Sequence, residues 1–116
     1  MNGIQVNATF ANISSSNLTE FKKLAADALE IAQGEPGVLQ YDWFLDDTQT
    51  VCVVRESYRD SAALLAHVAN MGGLLDTLND LGGGCELAMF GEPSPRLLDA
   101  TAALQRSVFR SSFQGK

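Results

Sequence analysis

Between Val51 and His67 the chain changes its period. Val51, Val53 and Val54 are the β-branched residues of a strand, and the run Ala62-Ala63-Leu64-Leu65-Ala66 is helical in character. The change takes about three residues, with Asp60 or Ser61 placed to cap the first free N–H groups of the helix. Glu56 and Tyr58 are two apart and share one face of the strand end. His67 then lies about two turns along the helix that follows. An acid, an aromatic and an imidazole are thus tied to one strand–helix junction.

The rest of the chain supplies partners for that junction. Residues 3–12 alternate Ile4, Val6, Ala8 and Phe10 with Gln5, Asn7 and Thr9, a strand with one apolar face. Asn17, with Glu20 three residues later, suits a helix start. Phe21, Leu24, Ala25, Ala28, Ile31 and Ala32 then make a helical stripe. Gly34 is expected to close this helix in a left-handed cap, and Pro36-Gly37 to make the next turn. Residues 38–45 form a second strand, and Asp46-Asp47-Thr48-Gln49 is a hairpin loop into a third at 50–58. A helix over 61–70 is interrupted by Met71-Gly72-Gly73, and Leu74, Leu75, Leu78 and Leu81 resume the stripe. Gly82-Gly83-Gly84 stops it. Residues 85–91 make a fourth strand. Ser94 and Pro95 open a last helix as N-cap and first helical residue, and an extended tail holds Val108, Phe109 and Phe113.

This order predicts an α+β fold: a ferredoxin-like βαββαβ sheet of four antiparallel strands with helices on one face, plus a C-terminal helix and tail. Residues 1–92 make the ferredoxin-like domain. Residues 93–116 belong to the same domain or to a dimer interface. Strands two and three are apolar at odd and even positions alike, with Leu39, Tyr41 and Trp43 against Val38 and Phe44. A sheet with one wet face alternates instead. A second copy covering the open face, as a homodimer with sheets packed together, accounts for this. The tail after Arg106 is then available to protect the partner's sheet edge. A monomer with the last helix folded across that face is the alternative.

A chain of 116 residues is one domain, and its formal net charge of −6 with scattered basic residues argues against nucleic acid and anionic membranes as partners. No apolar run reaches the roughly 18 residues of a membrane span. The N-terminus carries no signal-peptide pattern, and Cys52 and Cys85 read as buried free thiols, so the expected compartment is a reducing cytoplasm. No G-x-G-x-x-G follows a strand, and no G-x-S-x-G occurs. A single His without a Cys/His cluster gives no zinc site. No cofactor and no metal are expected.

The spacing Glu56-x-Tyr58-x-Asp60-x-x-Ala63-x-x-x-His67 resembles the antibiotic biosynthesis monooxygenase family, and the similarity runs from residue 3 to about 92. The resemblance implies a dimeric α/β barrel. It also implies one of several activities: cofactor-independent oxygenation of polyketide aromatics and quinols, isomerisation of small signalling sugars, or haem degradation. The haem branch would use Asn7 and an axial His67, and expects a Trp on the second helix that residues 60–81 lack. Active relatives also often carry another His where this chain has Asn70-Met71-Gly72-Gly73.

Oxygenation without a cofactor asks for an apolar, water-poor pocket, a base, and donors aimed at a developing oxyanion. His67 is the expected proton carrier, Glu56 its orienting partner, and Asn7 a donor to a substrate oxygen. Tyr41, Trp43 and Tyr58 offer flat surfaces to a small aromatic or quinol-like molecule. Each has a plainer reading. His67 is otherwise structural, Glu56 ends a strand or pairs with Arg55 or Arg59, Asn7 lines a dimer seam, and Tyr41 and Trp43 are core or interface. A non-catalytic dimeric protein that binds a small ligand, or a small-molecule isomerase, is the competing function.

Overall fold

The computed structural model describes residues 3–110, 114 and 115. Its elements run β1 (Ile4–Phe10), α1 (Leu18–Gln33), β2 (Val38–Leu45), β3 (Cys52–Tyr58), α2 (Ser61–Met71), α3 (Gly73–Leu81), β4 (Glu86–Phe90), α4 (Pro95–Ala100) and β5 (Arg106–Phe109). The sheet order is β2-β3-β1-β4-β5, so β1 is central. The first four strands pair antiparallel, and β5 adds a parallel fifth strand beside β4. The chain is thus α+β and ferredoxin-like, with one more strand than the sequence predicts. The tail that was expected to reach a partner's edge covers the β4 edge of its own sheet instead. Phe113 lies outside the described residues.

Period two decides the faces. Ile4, Val6, Ala8 and Phe10 are all buried, and they stand opposite Tyr58, Glu56, Val54 and Cys52 on β3. Phe21, Ala28 and Ala32 of α1, Leu64 of α2 and Leu97 of α4 pack onto this face in two buried clusters. Each large side chain so buried contributes on the order of 1.5–3 kcal/mol, which outweighs any local strand or helix preference. The opposite face carries Gln5, Asn7 and Thr9 beside Ser57, Arg55 and Val53. It also leaves Phe44 54% and Phe109 53% exposed, with Leu39 at the β2 bulge 65% exposed. In the single chain nothing among the described residues covers that face.

Most of the local capping signals in the sequence act as caps in the structure. The Asp60 side chain accepts from the Ala63 N–H at 2.9 Å and caps α2, and Ser94 accepts from the Leu97 N–H at 3.1 Å with Pro95 at the first turn of α4. Two differ. Asn17 makes no side-chain cap; its amide reaches instead towards the Leu81 carbonyl at 3.5 Å, tying α1 to the end of α3. Gly34 closes α1 at φ −84°, in the right-handed region, so its N–H is satisfied by a tightened last turn at the Ile31 carbonyl. Replacing Asp60 with alanine should cost about 1 kcal/mol in urea denaturation, and replacing it with serine much less.

The turn after α1 is pressed against α2. A Cβ on Gly37 would come within 2.6 Å of the Ala63 Cβ, so only glycine lets the turn approach so closely. The Gly37 carbonyl also accepts from the Arg59 N–H at 2.9 Å. This contact fixes residue 35 over the middle of α2. The junction between α2 and α3 is the other special point: Gly72 sits at φ 52° and ψ −132°, a conformation that L side chains rarely adopt. The chain turns there, and α3 packs mainly on α1 and α2, leaving space between itself and the sheet.

Candidate functional site

That space is a cavity of about 390 Å³ under α2 and α3. Its floor is the buried face of the sheet and its lining is mostly aliphatic, with Val6, Ala8, Leu78, Leu87 and Met89 prominent. Tyr41, Trp43, Glu56 and His67 break this apolar surface at the β2 and β3 end. Four of the six side chains expected at the site are therefore brought together. The other two are not. Asn7 pairs in register with Arg55 and Ala88 on the opposite face, because one step along a strand reverses the side chain. Tyr58 is fully buried behind the wall and does not line the cavity.

The partner of His67 is also different from the one expected. Its Nδ1 lies 2.6 Å from Glu35 Oε1, and the two side chains are 3% and 13% exposed. A carboxylate only accepts, so the Nδ1–H donates to Glu35 and Nε2 is the ring nitrogen left for other partners. Nε2 has no protein partner among the described residues. The other Glu35 oxygen accepts from Asn70 Nδ2 at 2.7 Å, so both oxygens of the carboxylate are engaged. Tyr41 packs edge-on against the imidazole with centroids 4.8 Å apart, and the Tyr58 ring stands at 5.8 Å on another side. The ring is clamped in position and in tautomer. Glu35 drew no attention in the sequence because it lies in a turn 32 positions from His67. The one signal was an acid set between Gly34 and Pro36-Gly37, at the point where a helix must end.

Glu56 is occupied by Tyr58, whose hydroxyl donates to Glu56 Oε1, and not by Arg55 or Arg59. Burial pushes the Glu56 carboxyl up to about 7, against the stabilising hydrogen bond from Tyr58. It is poised between acid and carboxylate at neutral pH. Burial and the nearby carboxylates push the phenols of Tyr41 and Tyr58 up as well, so both remain protonated donors. Cys52 and Cys85 are free, and burial pushes both thiols up to about 11, so neither is a thiolate nucleophile near neutrality.

Trp43 is both core and wall. Its indole stacks on Phe10 at 6.1 Å and meets Phe21 edge-on at 6.0 Å. Its Nε1–H is buried without a hydrogen-bond partner among the described residues, a costly arrangement unless something in the cavity accepts from it. Among the described residues no three His, Cys, Asp or Glu side chains converge as metal ligands would. No helix there is long and apolar enough to cross a membrane.

A sheet with this topology, with helices over one face, encloses an apolar cavity edged by an oriented imidazole on a ferredoxin-like scaffold. The sequence matches the model of the antibiotic biosynthesis monooxygenase family over residues 4–71, and the chain belongs to that family. Among solved structures it is similar to MupZ from Pseudomonas fluorescens, with a TM-score of 0.79 and 21% identity, covering 100% of this chain and 95% of that one. It is also similar to Rv0793 from Mycobacterium tuberculosis, with a TM-score of 0.65 and 18% identity over 80% of this chain and 97% of that one. SnoaB from Streptomyces nogalater, a cofactor-independent oxygenase, gives a TM-score of 0.62 and 15% identity over 81% of this chain and 96% of that one. At these identities the likeness is one of fold. No curated protein matches the sequence.

Proposed function

We propose that this protein is a cofactor-independent monooxygenase of the cytoplasm that oxidises a small aromatic or quinol-like substrate with dioxygen. The observation that carries the reading is the Glu35–His67 pair at the inner end of an apolar cavity. His67 Nε2 takes the acidic proton of a hydroquinone or anthrone, and Glu35 holds the imidazolium that results. The substrate anion passes one electron to dioxygen, and the radical pair combines to form a C–O bond. The peroxide takes up the proton held by His67. Its O–O bond then breaks, the hydrogen on the oxidised carbon leaves as a proton, and water departs. An anthrone and dioxygen thus give an anthraquinone and water, and the substrate supplies all the electrons. The protonated form of Glu56 and the Trp43 N–H are donors for the oxyanion in this scheme.

The test is oxygen uptake by metal-stripped protein against a panel of hydroquinones and anthrones, beside a heat-killed control. One dioxygen consumed for each quinone formed, without hydrogen peroxide, is the expected result. Uptake no faster than the control across the panel would favour the ligand-binding or isomerase reading.

The functional unit in this proposal is a homodimer joined through the open sheet face, where Phe44, Phe109 and Leu39 are more than half exposed. Apolar side chains gathered on one face in this way favour a partner. Light scattering should give about twice the chain mass of 12.4 kDa. Phe44→Asp should shift the mass to that of one chain, because a charge would be buried in the seam.

A further inference from the structure

The cavity does not end at His67. Tyr41 on β2 lines one end, and Gln105, whose carbonyl accepts from the Leu87 N–H at the start of β5, lines the other. Those strands are four spacings apart in the sheet, roughly 19 Å. The far end has its own character. Asp76 and Asn79 of α3 and Gln105 are exposed polar side chains around it, and Leu104 is 50% exposed beside them. None of the three polar side chains hydrogen-bonds within the described residues. The loop that holds Leu104 and Gln105 is latched from behind: Arg106 Nε donates to the Thr101 carbonyl and Nη2 to the Leu98 carbonyl, both at 3.1 Å.

The two ends also fall in different parts of the chain. Glu35, Tyr41, Trp43, Glu56 and His67 all lie within the family match of residues 4–71, and Asp76, Asn79, Leu104 and Gln105 all lie beyond it. The imidazole end of the cavity is thus built within the matched segment, and the mouth from residues that follow it.

We propose that the rim of Asn79, Leu104 and Gln105 is the specificity element of the site and selects elongated substrates. The oxidisable ring sits at His67, an apolar body crosses beneath α3, and a polar, hydrogen-bonding end emerges between Asn79 and Gln105. This rests on the oxygenase reading for the identity of the ring, and on the cavity alone for its length and polarity.

Anaerobic titration calorimetry separates the two. The probes are hydroquinone and hydroquinones with straight alkyl arms of increasing length, tipped with a methyl group or a primary amide. Affinity should rise with arm length, and at full length the amide should bind about tenfold more tightly than the methyl. The double variant Asn79→Ala, Gln105→Ala should erase that preference and leave hydroquinone itself unaffected. Leu104→Trp should weaken long-armed probes about tenfold and spare short ones. These side chains are exposed, and an unchanged melting temperature would confirm that the variants fold. Binding without dependence on arm length or tip, or rim variants that alter nothing, would overturn the rim proposal and leave the oxygenase reading standing. Failure of every hydroquinone to bind would overturn both.

Discussion

Oxygen uptake should fall about 100- to 10,000-fold when His67 is replaced by alanine, the range expected for loss of a positioned base. The near-ultraviolet circular dichroism of Trp43, the single tryptophan, should survive the change and show that the cavity wall is intact. In the proposed scheme Glu35 is a positioning residue, and its variants separate position from mere presence. Glu35→Gln keeps an acceptor for the Nδ1–H and should retain part of the rate. Glu35→Leu loses it and should approach His67→Ala, with KM little changed in both because Glu35 does not line the cavity. Full activity in Glu35→Leu would mean that the ring is held by packing against Tyr41 and Tyr58 alone.

The second large effect is on stability and runs through Glu56. Its carboxyl goes from an ordinary value of 4.5 to about 7 on folding. Below pH 4.5 it is protonated in both states and makes no difference. Between 4.5 and 7 the unfolded chain loses its proton first, so the folded state loses stability as pH rises. Above 7 the deficit is complete, on the order of 3 kcal/mol. Glu56→Gln removes the titration and still accepts from the Tyr58 hydroxyl. It should therefore be more stable than the parent at pH 8 and no more stable near pH 4.5, as read from urea denaturation at the two values. An equal gap at both pH values would show that burial of the charge is not the cause.

The Glu56 result also bears on the oxygenase scheme. A neutral carboxyl donates and a carboxylate does not, so turnover assisted by Glu56 should decline as pH passes upward through about 7. In Glu56→Gln, whose amide donates at every pH, that decline should be absent.

Local physics wrote most of the fold into the sequence. Alternation in Ile4–Phe10 assigned its buried face, Asp60 announced the start of α2, and Gly82-Gly83-Gly84 announced the end of α3. These signals survive because caps and periods depend on neighbours within a few residues. The apolar residues on both faces of β2 were equally plain, and the structure leaves Phe44 exposed where that pattern placed it. The fifth strand was harder. Arg106–Phe109 is short and has no turn chemistry that pins it to an edge, so only the vacant side of β4 determined where it pairs.

The site was half legible. Glu56, Tyr41 and Trp43 share a face by parity and register, and His67 follows from the helix they face. Asn7 was misplaced because the polar side of a central strand suggested an interior role, whereas its parity puts it opposite to Val6 and away from the cavity. By itself the sequence determined the helices, the first four strands, the buried face of β1 and the imidazole. Only the tertiary structure decided that Glu35 and not Glu56 holds that imidazole, and that Thr101, Ala103, Leu104 and Gln105 form the far wall. Both depend on contacts between distant positions: the close approach of Gly37 to Ala63, and the return of the chain to the β4 edge. Such contacts are set by packing of the whole chain, and no local pattern encodes them.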